Sequence, residues 1–134
     1  MSETTQKPTR PLSPHLQVYK LPLTAILSIT HRVTGVGLAL GTILVAAFLI
    51  AAATSEQHYN VVMAIADSMI GTLILFAWSL ALYFHMFNGM RHMFWDSGKF
   101  LQKDQAMRTN YIVLLFAVCA TGLTWFFACG NFVE

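Results

Sequence analysis

Charge is what this sequence has least of. Only 10% of its 134 residues are Asp, Glu, Lys or Arg, against 56% that are hydrophobic. The few charges leave long gaps: none occurs from Val33 to Ser55, from Ser68 to Met90 or from Thr109 to Val133. So little polar surface excludes an ordinary soluble domain. A gap of roughly 23 residues rises ~35 Å as a helix, enough to cross a hydrocarbon core of about 30 Å. Carboxylates are missing from the middle of all three gaps, which argues against a transporter coupled to protons through a membrane-embedded Asp or Glu. Cysteine is scarce too. Cys119 and Cys129 lie about 15 Å apart on one predicted helix, too far for a disulfide, and read as small apolar packing residues. The first twenty residues have no apolar core, so no cleavable signal peptide is expected, and they lack the Arg- and Ser-rich character of a transit peptide.

What is present predicts an all-α membrane protein with three transmembrane helices, spanning about residues 29–53, 67–90 and 109–129. They form a single transmembrane domain over 22–134, preceded by an N-terminal segment over 1–21. That segment starts polar, up to Thr9, and carries Pro11 and Pro14 in an extended or turn-rich stretch that lies along the membrane surface or a partner. Pro22 suits the first turn of a helix. Reading on from it to Ala53 gives a helix longer than the hydrocarbon is thick. The basic residues are placed with complete bias. Lys7, Arg10, Lys20 and Arg32 lie at or before the start of the first span, Arg91, Lys99, Lys103 and Arg108 stand between the second and third, and the loop from Thr54 to Tyr59 has none. The N-terminus and second loop are therefore expected on the cytoplasmic side, or its mitochondrial equivalent, the matrix. The formal charge of +2 is a topology signal and implies no nucleic-acid partner. A bacterial inner membrane is the simplest location.

Chemistry concentrates in two places. From His85 to Asp96 an apolar run takes in a histidine and is followed by Arg91, His92 and Asp96. At helical spacing His85, Gly89, His92 and Asp96 share one face, with the small Gly89 a turn from His85, a face suited to a flat, bulky cofactor. His85 lies six residues before Arg91, hence about 9 Å inside the apolar stretch. An imidazole at that depth is a candidate ligand for haem iron; the alternative is a histidine hydrogen-bonded to a neighbouring helix. His92 is about 10 Å further along the helix, whereas opposed axial nitrogens stand ~4 Å apart, so the two cannot share an iron. His31 is closer in depth but stands beside Arg32 at the interface. The second axial ligand is expected from another polypeptide.

The other place is the polar start of the first span. Ser28 and Arg32 are one turn apart on one face. A hydroxyl donor beside a fixed cation can bind a quinone carbonyl and stabilise the negative charge that develops on reduction; Arg32 alone would as readily snorkel to lipid phosphates. His31 is then near enough to meet a haem propionate or to take part in proton supply. His92 and Asp96 are also a turn apart, so the carboxylate is a candidate for orienting the imidazole, and Arg91 for meeting a propionate or a lipid phosphate. The alternative for these three is an ordinary charged helix exit. Gly37 and Gly41 form a GxxxG that lets another helix approach closely. The third span has no ionisable group besides Tyr111 and the cysteines, and reads as a packing helix.

Arg10-Pro11, the stretch Ser28-Ile-Thr-His31-Arg32-Val-Thr34-Gly35, and His85 followed by Gly89, Arg91, His92, Asp96 and Gly98 together resemble both signature stretches of the cytochrome b556 membrane-anchor subunit of succinate dehydrogenase, respiratory complex II. The resemblance runs from Arg10 to about Val118, in the right order on the first two spans. It implies that His85 is an axial ligand of haem b, opposed by a histidine of a second anchor subunit. It implies further that Ser28 and Arg32 belong to the ubiquinone site, that His31 with Arg32 lies by the haem propionates, and that His92 is a further cofactor-side histidine. The expected partners are that second anchor, an iron–sulfur subunit and a flavoprotein subunit that oxidises succinate, so this chain is part of an oxidoreductase without a complete active site of its own. The rivals are a fumarate reductase anchor using menaquinone, and a structural anchor without haem.

Overall fold

The structure, a computed structural model, describes residues 19–130. Most of the expected N-terminal segment, with Arg10, Pro11 and Pro14, lies outside the described residues. Four helices follow one another: α1 Leu23–Thr54, α2 Glu56–Ala66, α3 Met69–Asp96 and α4 Lys103–Gly130. Among the described residues there is no strand. α1, α3 and α4 are each long and apolar enough to cross a membrane. They pack as an antiparallel sequence, so that the start of α1, the end of α3 and the start of α4 meet at one end of the bundle.

Each boundary has a local cause. Pro22 precedes α1 in an extended conformation, and its carbonyl accepts from the third and fourth helical N–H groups, those of Ala25 at 2.9 Å and Ile26 at 3.2 Å. α1 runs for 32 residues, or about 48 Å. Its threonines return their hydroxyls to their own helix, as Thr30 does to the Ile26 carbonyl at 2.9 Å, which satisfies them without water. At Ser55 the backbone becomes extended. Its N–H still closes α1 on the Ala51 carbonyl, and its hydroxyl caps α2 by accepting from the His58 N–H at 3.2 Å. α2 is a separate helix that the sequence does not predict, standing before the expected start of the second span at about residue 67. In the structure Asp67 closes α2, and Ser68 caps α3 by accepting from the Gly71 N–H at 3.1 Å. Glycine is required at 71 because a Cβ there would meet the Ala66 carbonyl oxygen at 2.7 Å, so tightly does α2 turn into α3. α3 ends on Gly98, whose φ of +78° is the left-handed stop that glycine favours.

The bundle has polar residues inside and apolar residues outside. Asn88, Arg91, Asn110 and Thr121 are buried, while Val33, Val36, Ile43, Ile70 and Phe126 are exposed. That pattern is stable only where the surroundings are hydrocarbon. The apolar core is small, formed by Leu27, Phe84, Val113 and Ala117 near the end where α1 begins. Towards the α2 end, Gly41 admits the indole of Trp78, Trp125 donates to the Ser79 hydroxyl at 2.9 Å, and Tyr83 meets Thr124 at 2.7 Å. The expected GxxxG is thus half used within this chain, Gly41 being filled and Gly37 open. Cys119 and Cys129 are both free and exposed on the outside of the bundle, rather than packed between helices.

Candidate functional site

The site forms where α1 and α3 cross, and glycine makes the crossing close. A Cβ at Gly35 would stand 2.9 Å from Cε1 of His85, and one at Gly89 would stand 3.7 Å from Cε1 of His31. Each histidine therefore lies over the glycine of the opposite helix. The rings meet between them, His31 and His85 stacking with centroids 3.9 Å apart and planes 12° from parallel. His92 lies 5.3 Å from His31 and stands edge-on to Trp95 at 5.1 Å. The room beside Gly89, which the sequence suggests for a flat cofactor, is taken by the His31 ring. His31 is accordingly a neighbour of His85 within the bundle, where the sequence alone set it at the interface.

Hydrogen bonding fixes the His85 tautomer. Its Nδ1 lies 3.1 Å from the His31 carbonyl oxygen and 3.3 Å from the Thr34 hydroxyl. A carbonyl only accepts, so Nδ1 carries a proton, and in the neutral ring Nε2 keeps its lone pair. An Nδ1–H held by a backbone carbonyl is the arrangement that orients a metal-ligating imidazole. Stacked rings present faces to each other, so His31 and His85 cannot be opposed ligands of one iron. Among the described residues no group of three or more His, Cys, Asp or Glu could enclose a metal ion.

A Gly35→Val substitution is expected to push the His85 ring off its carbonyl, costing about 1–3 kcal/mol as overpacking. A lowered melting temperature of the purified protein would register it; unchanged melting would mean that the contact is slack.

The other predicted residues are placed less uniformly. Ser28 is half-buried and Arg32 exposed on α1, one turn apart as expected. Asp96 is exposed, and among the described residues neither a hydrogen bond nor an ion pair joins it to His92, so it does not orient that ring. Arg91 departs furthest from expectation. Only 4% exposed, it turns inward, donates through Nη1 to the Asn110 side-chain oxygen and lies 4.5 Å over the Trp95 ring. Asn110 in turn donates to the Thr24 hydroxyl at 2.9 Å, so α4 brings polar chemistry to the site that a packing helix would lack. Thr24, Asn88 and Asn110 were missed. The signal for the two asparagines was available, since a lone amide in an apolar span faces inward and seeks a partner. His31 Nδ1 and both amide atoms of Asn88 are buried and have no partner among the described residues.

A small membrane protein with three candidate spans, and with histidines, an arginine and buried amides clustered at one end, is the class this fold and site define. The comparisons specify it. The family model for the succinate dehydrogenase/fumarate reductase transmembrane subunit matches residues 6–124. The succinate dehydrogenase cytochrome b556 subunit of Paracoccus denitrificans is 41% identical over 115 residues, covering 86% of this chain and 88% of that protein. That of Rickettsia felis is 36% identical over 116 residues, covering 87% and 90%. The mitochondrial cytochrome b560 subunit of Sus scrofa is 34% identical over 115 residues, covering 84% and 68%. The chain belongs to the succinate dehydrogenase/fumarate reductase transmembrane subunit family.

Proposed function

We propose that this chain is the haem b- and ubiquinone-binding anchor subunit of a succinate:quinone oxidoreductase. Its partners would be a flavoprotein, an iron–sulfur subunit and a second anchor, in a bacterial inner membrane with the N-terminus and the α3–α4 loop on the cytoplasmic side. The observation that carries the haem assignment is the His85 imidazole, with Nδ1–H held by the His31 carbonyl and Nε2 free. The names of the relatives, cytochromes b556 and b560, support the same cofactor. The unpartnered, buried Nδ1 of His31 fits a site that a second component completes.

In this reading His85 would hold the haem iron through Nε2, and the partner anchor would contribute a further ligand. Haem b would supply a one-electron acceptor there. Ser28 donates a hydrogen bond to a quinone carbonyl, and Arg32 holds a positive charge where negative charge develops on reduction. Arg32, the tenth residue of α1, is exposed; at the cytoplasmic edge of the membrane it would be within reach of the aqueous side from which the two protons of quinone reduction are drawn. No transmembrane proton path is needed. The test is a dithionite-reduced minus oxidised spectrum of the purified complex, which is expected to show a b-type α-band. A complex that reduces quinone without that band would refute the haem assignment.

A further inference from the structure

Beyond Gly41, α1 is apolar on most of its circumference. Ile43, Leu44, Val45, Leu49 and Ile50 are all exposed, and at about 100° per residue they point in different directions. In water a hydrophobic stripe sets the rotation of such a helix about its axis; in hydrocarbon that force is absent, and close packing and polar contacts decide instead. Near the start of α1 the polar contact is the Thr24 hydroxyl, which accepts from Asn110 Nδ2 at 2.9 Å. Asn110 is fully buried at 0% exposure and is engaged from both ends, since its oxygen accepts from Arg91. A guanidinium only donates, so the amide cannot be turned round: its oxygen must face Arg91 and its nitrogen Thr24. The face of Arg91 is covered by Trp95. Three helices are thus joined by one chain of directional bonds, in which no member can move alone.

Thr24, Ser28 and Arg32 follow one another at four-residue intervals on one face of α1, so the tie lies one turn before the hydroxyl and two before the cation. We propose that the Thr24–Asn110–Arg91 chain is a positioning element for the quinone site, fixing the rotation of α1 so that Ser28 and Arg32 keep one orientation relative to His85. A rotation equivalent to a single residue would swing both by about 100°. The inference rests on the assignment of Ser28 and Arg32 to quinone, and deepens it by adding residues that never touch the substrate.

The experiment uses the whole purified complex with decylubiquinone. Thr24→Val keeps the shape of the side chain and removes the acceptor, leaving the Arg91–Asn110 contact in place. It is expected to raise KM for decylubiquinone about threefold to tenfold, the scale of one hydrogen bond. Turnover at saturation, the haem band and succinate oxidation by a soluble dye should stay as in the parent. Thr24→Ser is expected to restore KM. Unchanged KM in Thr24→Val overturns the proposal, as does equal impairment of the Val and Ser variants, which would remove the dependence on a hydroxyl. A Thr24→Val complex that does not assemble overturns it too, because the contact would then serve folding at large. Ser28→Ala is the control for the underlying assignment. If Ser28→Ala leaves quinone kinetics untouched, that assignment fails; if it impairs them and Thr24→Val does not, only the positioning role fails.

Discussion

His85→Ala is expected to abolish the b-type α-band of the purified complex. Removing a group that merely orients a metal ligand typically costs 10–100-fold in affinity, so removing the ligand itself should exceed about 100-fold. The geometry gives the expectation a graded form. Thr34→Val removes one of the two oxygens near Nδ1 but leaves the His31 carbonyl at 3.1 Å, so the tautomer survives and haem should be retained with weaker affinity. His92→Ala removes a ring that contacts His31 and Trp95 and not His85, so it should leave the band in place. Haem content and difference spectra of the three variants test this order. Retention of an unaltered band in His85→Ala would mean that the ligand lies elsewhere.

The second large effect is expected at Ser28 and Arg32, in the first three turns of α1. Arg32→Ala should lower succinate–quinone turnover by about 100-fold, the scale of losing one preorganised donor to a developing negative charge. Ser28→Ala should cost about tenfold or less, as the loss of a neutral hydrogen bond. Arg32→Lys keeps the charge but loses the planar fork, and should fall between the parent and Arg32→Ala. All three should oxidise succinate with a soluble dye at the parental rate, because that reaction would not pass through this chain. Parallel quinone and dye assays separate the outcomes, and equal loss in both would point to failed assembly rather than to a quinone role.

Why the helices were legible and the site only partly so follows from the range of the forces involved. The three spans follow from the absence of charge between Arg32 and Glu56, between Asp67 and Arg91 and after Arg108, a signal that needs no tertiary information because hydrocarbon imposes it residue by residue. α2 escaped because its boundary is a single extended residue, Ser55, without proline or glycine to mark it, and because its valines and isoleucine merge with the apolar run that follows. His85 stood out as an imidazole in a charge-free stretch. Its relation to His31 did not, since it depends on how α1 crosses α3 and so on contacts 54 residues apart in the chain. Arg91 misled for a physical reason. At a helix end a guanidinium ordinarily reaches for water or phosphate, and only the chance to meet Asn110 and Trp95 together makes the inward direction favourable.

The two histidine-over-glycine contacts are reciprocal, so each depends on the other. Sliding α1 past α3 by one turn, about 5.4 Å, would lose both at once, and with them the carbonyl contact to His85 Nδ1. A side chain added at either glycine therefore acts on both histidines, and the two positions constrain the helix crossing as one.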